Sequence, residues 1–300
     1  MTHVLGTLVK LSPTLRLIVL VPALFVCAAG VLAHEQTQAQ IAQLDRMIAA
    51  DPHDAGLHMQ RGEMHRMLGR WDAARRDYER SLALDPGLTA VHLCEGRLWM
   101  DENLPERAIA PLDLYIAGHP ADPAGHSVRA RALALLGRHG EAASEFDQAL
   151  TLTNATGRRA QPDLYLELAR ALIAAGDGNR ERALAVLEDG LTRLDRPVAL
   201  DLEALAIERA LGRTDAALVR LERLAAVSSR AEIWLTRRAE ILEQAGRTAE
   251  AEQSWRAASS AIERLSASRR ASAAIVELNA VVSAALRRLA QPEPAPPGAP

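Results

Sequence analysis

Residues 55–88 read AGLHMQRGEMHRMLGRWDAARRDYERSLALDPGL, and the stretch is punctuated twice, by Gly69 at its middle and Pro86 near its end. The punctuation recurs on both sides. Pro52, Pro86 and Pro120 stand 34 residues apart, and Gly69, Asn103 and Gly137 fall midway with the same period. Helix-breaking residues at two phases of a fixed 34-residue repeat are the mark of stacked helix-turn-helix hairpins. The period therefore predicts an all-α chain of antiparallel helix pairs.

Within the quoted stretch, Gly62 takes a small slot in the first helix and Ala74 a small slot in the second. Tyr78 takes a bulky aromatic slot, and Pro86 closes the unit. Gly62 and Ala74 are expected to face each other so that two helices approach closely, with Tyr78 filling the gap to the next hairpin. The following unit keeps Gly96, Trp99, Ala108, Leu112 and Pro120; Pro105 starts its second helix harmlessly, and Pro111 is expected to kink it. A third carries Ala130, Leu133, Gly137, Ala142, Phe146 and Ala149. Three further units centre on Gly176, Gly212 and Gly246, the first after an insertion at residues 156–161 and with a lengthened turn.

This pattern resembles the tetratricopeptide repeat, although His58, Arg61 and His65 stand where that family prefers other residues. The resemblance implies a right-handed α-solenoid (superhelix) of about six hairpins over residues 55–265. An opening half-repeat at 34–54 and a C-terminal capping helix at 266–290 flank it. In that cap Ile275, Leu278, Val282, Ala285 and Leu289 recur at helical spacing. Residues 291–300, QPEPAPPGAP, read as an extended, disordered tail.

The resemblance also implies a concave groove lined by first helices, where protein or peptide segments bind. Its candidates here are Met59, Glu63, Arg66, Leu93, Arg97, Met100, Ser127, Arg131, Leu166, Arg170, Leu202 and Arg209. Arg97 and Arg131 hold equivalent places, Arg170 continues the series, and such guanidinium groups can grip the carboxylates of an acidic segment. On a half-exposed face of an Arg-rich chain, the same residues also suit simple solvation.

The N-terminus speaks to location. Lys10 and Arg16 precede an uncharged run from Leu17 to Ala33. The run fits a signal peptide cleaved near Ala33 or a short inner-membrane anchor; either places the repeats outside the cytoplasm, facing the periplasm. Membrane contact is then confined to residues 17–33. The formal net charge is −3, and −5 without residues 1–33, which argues against nucleic acid as a partner. Cys94 would remain alone, so no internal disulfide can form.

Catalytic motifs are absent: there is no GxSxG, GxxxxGK[ST] or GxGxxG, and Glu141 and Glu145, four apart on a helix, read as the usual solvent-facing pattern. No enzyme activity and no cofactor are expected. His58, His92 and His126 repeat at 34-residue spacing, too far apart for one metal ion to join, and His65 lies two turns beyond His58. Packed histidines are expected there. The competing reading is a periplasmic metal-binding protein using histidines, His34 among them once residue 33 is removed. The leading expectation is an exported scaffold, an adaptor or assembly factor of an envelope complex.

Overall fold

The computed structural model describes residues 34–290, so the N-terminal apolar run and the proline-rich tail lie outside the described residues. The described residues are helical, without strands, and fall into two compact units that meet in sequence at Arg138 and His139. The first holds α1 (34–50), α2 (Ala55–Met67), α3 (Trp71–Leu84), α4 (Ala90–Asp101), α5 (Pro105–Gly118) and α6 (Pro123–Leu135). The second holds α7 (His139–Ala155), α8 (Pro162–Ala174), α9 (Arg180–Arg193), α10 (Val198–Ala210), α11 (Thr214–Ala226), α12 (Ala231–Gln244) and α13 (Thr248–Glu263). It ends in α14 (Ala267–Arg270) and α15 (Ala273–Leu289). None of the described helices is long and apolar enough to cross a membrane.

Local chemistry sets the boundaries. Asp54 accepts a hydrogen bond from the Leu57 amide at 3.1 Å and caps α2; Asp122 does the same for α6 through Ala124 at 2.9 Å. Pro105, Pro123 and Pro162 sit in first turns, where a missing N–H leaves nothing unpaired. The hairpin turns close on a left-handed residue: Gly69 at φ 68°, Gly137 at 73°, Gly212 at 69° and Gly246 at 72°. Asn103 replaces glycine at φ 58°, a conformation asparagine tolerates better than other side chains. Each of these turns carries one recurring bond, from the amide after the left-handed residue back to a carbonyl five positions earlier. Arg70 to His65, Leu104 to Trp99, Arg138 to Leu133, Arg213 to Glu208 and Arg247 to Leu242 all span 2.8–2.9 Å. The turn at Gly176 is the exception, drawn out into a 3₁₀ turn at Asp177–Asn179.

The packing corrects one expectation. Gly62 faces Tyr78 rather than Ala74: a Cβ built on Gly62 would lie 2.5 Å from the tyrosine ring. Gly96 likewise sits under Leu112, at 2.6 Å. The glycine admits the bulky residue of its own partner helix, and Tyr78 then reaches the next hairpin, clustering with Val91, Cys94 and Leu98. Pro111 lies inside helix α5, which spans it from Pro105 to Gly118.

In the second unit a cluster of Ala217, Leu221, Ala239, Leu242, Ala251, Trp255 and Ala258 runs on to Ile275, Val282 and Ala285 of α15. Leu278 and Leu289 pack against the same cluster, so α15 covers the last hairpin. The stretch expected as one capping helix is two. The Ser272 hydroxyl donates to the Arg269 carbonyl at 2.7 Å, which ends α14 before α15 begins.

Candidate functional site

Helices α2, α4 and α6 are the first helices of successive hairpins in the first unit. A cleft of about 280 Å³ gathers Arg66, Arg97, Met100, Asp101, Ser127 and Arg131 from them. Five of the twelve groove candidates therefore share one cavity. A second cavity, about 400 Å³, lies between α1 and α2 and is lined by Leu44, Met47, Met59, Glu63 and Met64 among others. Met59 and Glu63 belong there. Leu93 does not reach either cavity: at 8% exposure it is packed with Leu112 and Tyr115. Its helix α4 packs against both α5 and α6, so the buried arc is wider than the spacing suggests.

The cleft is unevenly charged. Arg66 donates to Glu63 at 3.1 and 3.2 Å and to Asp101 on the next hairpin. Burial alone would lower the pKa of Arg66, but Glu63 and Asp101 raise it above the ordinary arginine value. Glu63 also accepts from the Tyr78 hydroxyl. Burial pushes its carboxyl upward, yet Arg66 and Tyr78 outweigh that and hold it below the usual carboxylate range. Beside it Cys94 is buried, its thiol pushed up to about 12 by burial and then by the Glu63 charge. Ser127 donates to the Pro123 carbonyl at 2.9 Å. Arg97 forms no ion pair among the described residues, and with half-exposed Met100 it offers the cleft a free guanidinium beside an apolar wall.

On another side of α2 the chain buries a carboxylate. Asp77 of α3 accepts from Arg61 Nε at 2.9 Å and Nη2 at 2.6 Å, while Arg61 Nη1 reaches Asp45 at 2.8 Å. Hydrogen bonding to Asp77 raises the Arg61 pKa. His58 Nδ1 lies 3.7 Å and His65 Nε2 3.9 Å from the same carboxylate. The two histidines thus meet through Asp77, a neighbour that spacing along α2 did not reveal. His92 contacts Glu95 at 2.8 Å. Among the described residues no three His, Cys, Asp or Glu side chains gather to hold a metal ion.

In the second unit Leu166 is buried, and Leu202 packs against the core. Arg170 reaches Glu203 at 2.9 Å and Arg209 reaches Gln244 at 2.9 Å, each tying one first helix to the next. The unforeseen feature here is Arg220, 2% exposed. It donates to Asp201 at 2.6 Å, to Glu208 at 2.8 and 2.9 Å, and to Glu188.

Comparison with known families finds matches to the tetratricopeptide repeat at residues 55–88 and at residues 95–163. No curated protein matches in sequence. Among solved structures, PilW, a widely conserved type IV pilus biogenesis factor, aligns at 21% identity and TM-score 0.53, over 67% of this chain and 90% of PilW. YrrB, a TPR protein with an unusual peptide-binding site, aligns at 14% identity and TM-score 0.50, over 61% and 91%. Yeast Tom70 aligns at 18% identity and TM-score 0.49, over 72% of this chain; the chain spans 43% of Tom70. At these identities the likeness is one of fold.

Proposed function

We propose that this chain, a tetratricopeptide repeat protein, is an exported, non-catalytic scaffold that holds an acidic protein or peptide segment in the cleft across α2, α4 and α6. The observation that carries the reading is that Arg97, which forms no ion pair among the described residues, lines a cavity together with Arg66, Arg131 and Met100. A guanidinium that forms no close ion pair among the described residues, set beside an apolar wall, suits a segment that presents a carboxylate next to an aliphatic side chain. Export rests on Lys10, Arg16 and the uncharged run Leu17–Ala33. With export, the scaffold acts as an adaptor or assembly factor of an envelope complex.

Affinity capture from the native cell envelope, with intact mass of the recovered chain, tests both parts. A chain beginning at His34 supports cleavage; a full-length chain in the membrane fraction supports the anchor. Arg97→Glu with Arg131→Glu is expected to reduce partner capture by about tenfold or more, since each lost charge-assisted bond is worth on the order of 1.5–3 kcal/mol. Undiminished capture moves the binding surface off the cleft.

A further inference from the structure

We propose that the cavity of about 400 Å³ between α1 and α2 seats one further helix, an amphipathic α-helix supplied by a partner protein. Among the described residues α1 is a second helix without a first: Pro52 follows it as Pro86, 34 residues later, follows α3. Its cavity residues Gln40, Gln43, Leu44 and Met47 hold the places of Ala74, Asp77, Tyr78 and Ser81. On α3 those four are at most 5% exposed, because they face the first helix α2. Tyr78 covers Gly62, Asp77 accepts from Arg61, and Ser81 donates to the Ala55 carbonyl at 2.7 Å. On α1 only Leu44 of the four is buried; Gln40, Gln43 and Met47 are exposed.

The next junction along the chain has the wall that this one lacks. There Cys94 and Leu98 of α4 pack with Ala74 and Tyr78 of α3, and Met59 of α2 closes the third side. Gln60 and Met64 of α2 hold the places of Cys94 and Leu98, yet Gln60 is exposed and Met64 half-exposed. Two walls of a three-helix junction therefore meet at the cavity, and no described helix forms the third. The phase of the turn residues Gly69, Asn103 and Gly137 falls at Glu35, which lies inside α1. Glutamate is ill suited to the left-handed conformation those residues adopt, so the third wall belongs to another molecule. Met47, Met59 and Met64 with Leu44 give it an adaptable apolar floor. Gln40, Gln43 and Gln60 are neutral, and the Glu63 carboxylate is held by Arg66. The helix that fits carries aliphatic side chains at i, i+3, i+4 and i+7. It has a small residue opposite Leu44, which stands where Tyr78 meets Gly62 in the next hairpin.

The test is photo-cross-linking of the full chain in its native cells, with benzoylphenylalanine in place of Gln43 and mass-spectrometric mapping of the joined peptide. The mapped segment is then synthesised and titrated against the purified chain, with its helicity followed by circular dichroism. A single segment of another protein with the stated spacing is expected, and its peptide gains helix on binding. Binding is expected to weaken about tenfold or more in Met47→Lys/Gln60→Lys, which sets charge against the apolar stripe. Both positions are exposed, and a thermal melt of the variant checks that its fold is kept. Joining to residues 17–33 of the same chain makes the seat an internal one, joining to a second copy makes it a dimer contact, and either overturns the partner helix. Absence of a defined product, or a mapped peptide that gains no helix or binds the variant equally, overturns the seat itself.

Discussion

Hairpins α2–α3 and α10–α11 set titratable side chains at the same three places, around a carboxylate in one and around a guanidinium in the other. Counted from the left-handed turn residues Gly69 and Gly212, the places lie eleven and four residues before and eight after. The first hairpin fills them with His58, His65 and Asp77; the other fills them with Asp201, Glu208 and Arg220. In both, the residue on the second helix sits between two on the first: at 3.7 and 3.9 Å around Asp77, and at 2.6 and 2.8 Å around Arg220. The distances differ because Arg220 is itself the donor to both partners. Asp77 takes its cation from Arg61, eight residues before Gly69, where the other hairpin has Ala204. The repeat therefore fixes a triangle of positions and leaves the chemistry of its corners open. In α12–α13 the same places hold Leu235, Leu242 and Ser254, without charge.

The comparison can be broken most forcefully at Arg220. Arg220→Met leaves Asp201 and Glu208 buried without their main cation, and urea unfolding is expected to show a loss of about 3–5 kcal/mol. Adding Asp201→Leu and Glu208→Leu is expected to restore most of it, since α12–α13 packs with leucines at those places. Asp77→Asn is the mirror experiment and a milder one, about 1–3 kcal/mol, because Arg61 keeps its contact with Asp45. Gly62→Ala tests the packing beside the triangle. Overpacking against Tyr78 costs about 1–3 kcal/mol, and better helix propensity returns up to about 1 kcal/mol of it.

The smallest expected effect concerns acid. Burial lowers the His65 pKa below its ordinary value of 6.5, so below that pH the unfolded chain binds more protons at this position than the folded one. Its contribution to stability is therefore complete above about 6.5 and declines as pH falls through that value toward the lowered folded pKa. Thermal melts between pH 7 and 5 are expected to fall less steeply in His65→Gln than in the parent. An unchanged slope would remove His65 from the list of groups that distinguish the two hairpins.

Much of this architecture was legible in the sequence, because turns and tight helix contacts admit few residue types. Gly69, Asn103, Gly137, Gly212 and Gly246 mark the left-handed closures, and Gly62 and Gly96 mark the close approaches. The partner of Gly62 was misread, since small residues on two helices suggest each other, whereas the glycine makes room for a large neighbour. The candidate cleft was legible in part. Arg66, Arg97, Met100, Ser127 and Arg131 share a cavity, while Leu93 and Leu166 are buried because first helices pack on more than one neighbour. Arg220 was missed for a different reason. A charged residue on a helix ordinarily reads as a solvated one, and only alignment to the slot of Asp77 exposes it as interior.

The recurring bond at the turns makes the hairpins interchangeable at their joints even where their interiors are not. Amides 70, 104, 138, 213 and 247 close on carbonyls 65, 99, 133, 208 and 242 with the same geometry. A segment excised from one left-handed residue to the next, 34 residues in the runs Gly69–Asn103–Gly137 and Gly212–Gly246, would leave a junction of unchanged backbone form. Removing a single residue inside a helix would instead rotate everything beyond it by about 100° around the helix axis and turn a buried face outward. The chain can thus be edited in whole hairpins and resists editing in single residues, as a length of chain links shortens by the link.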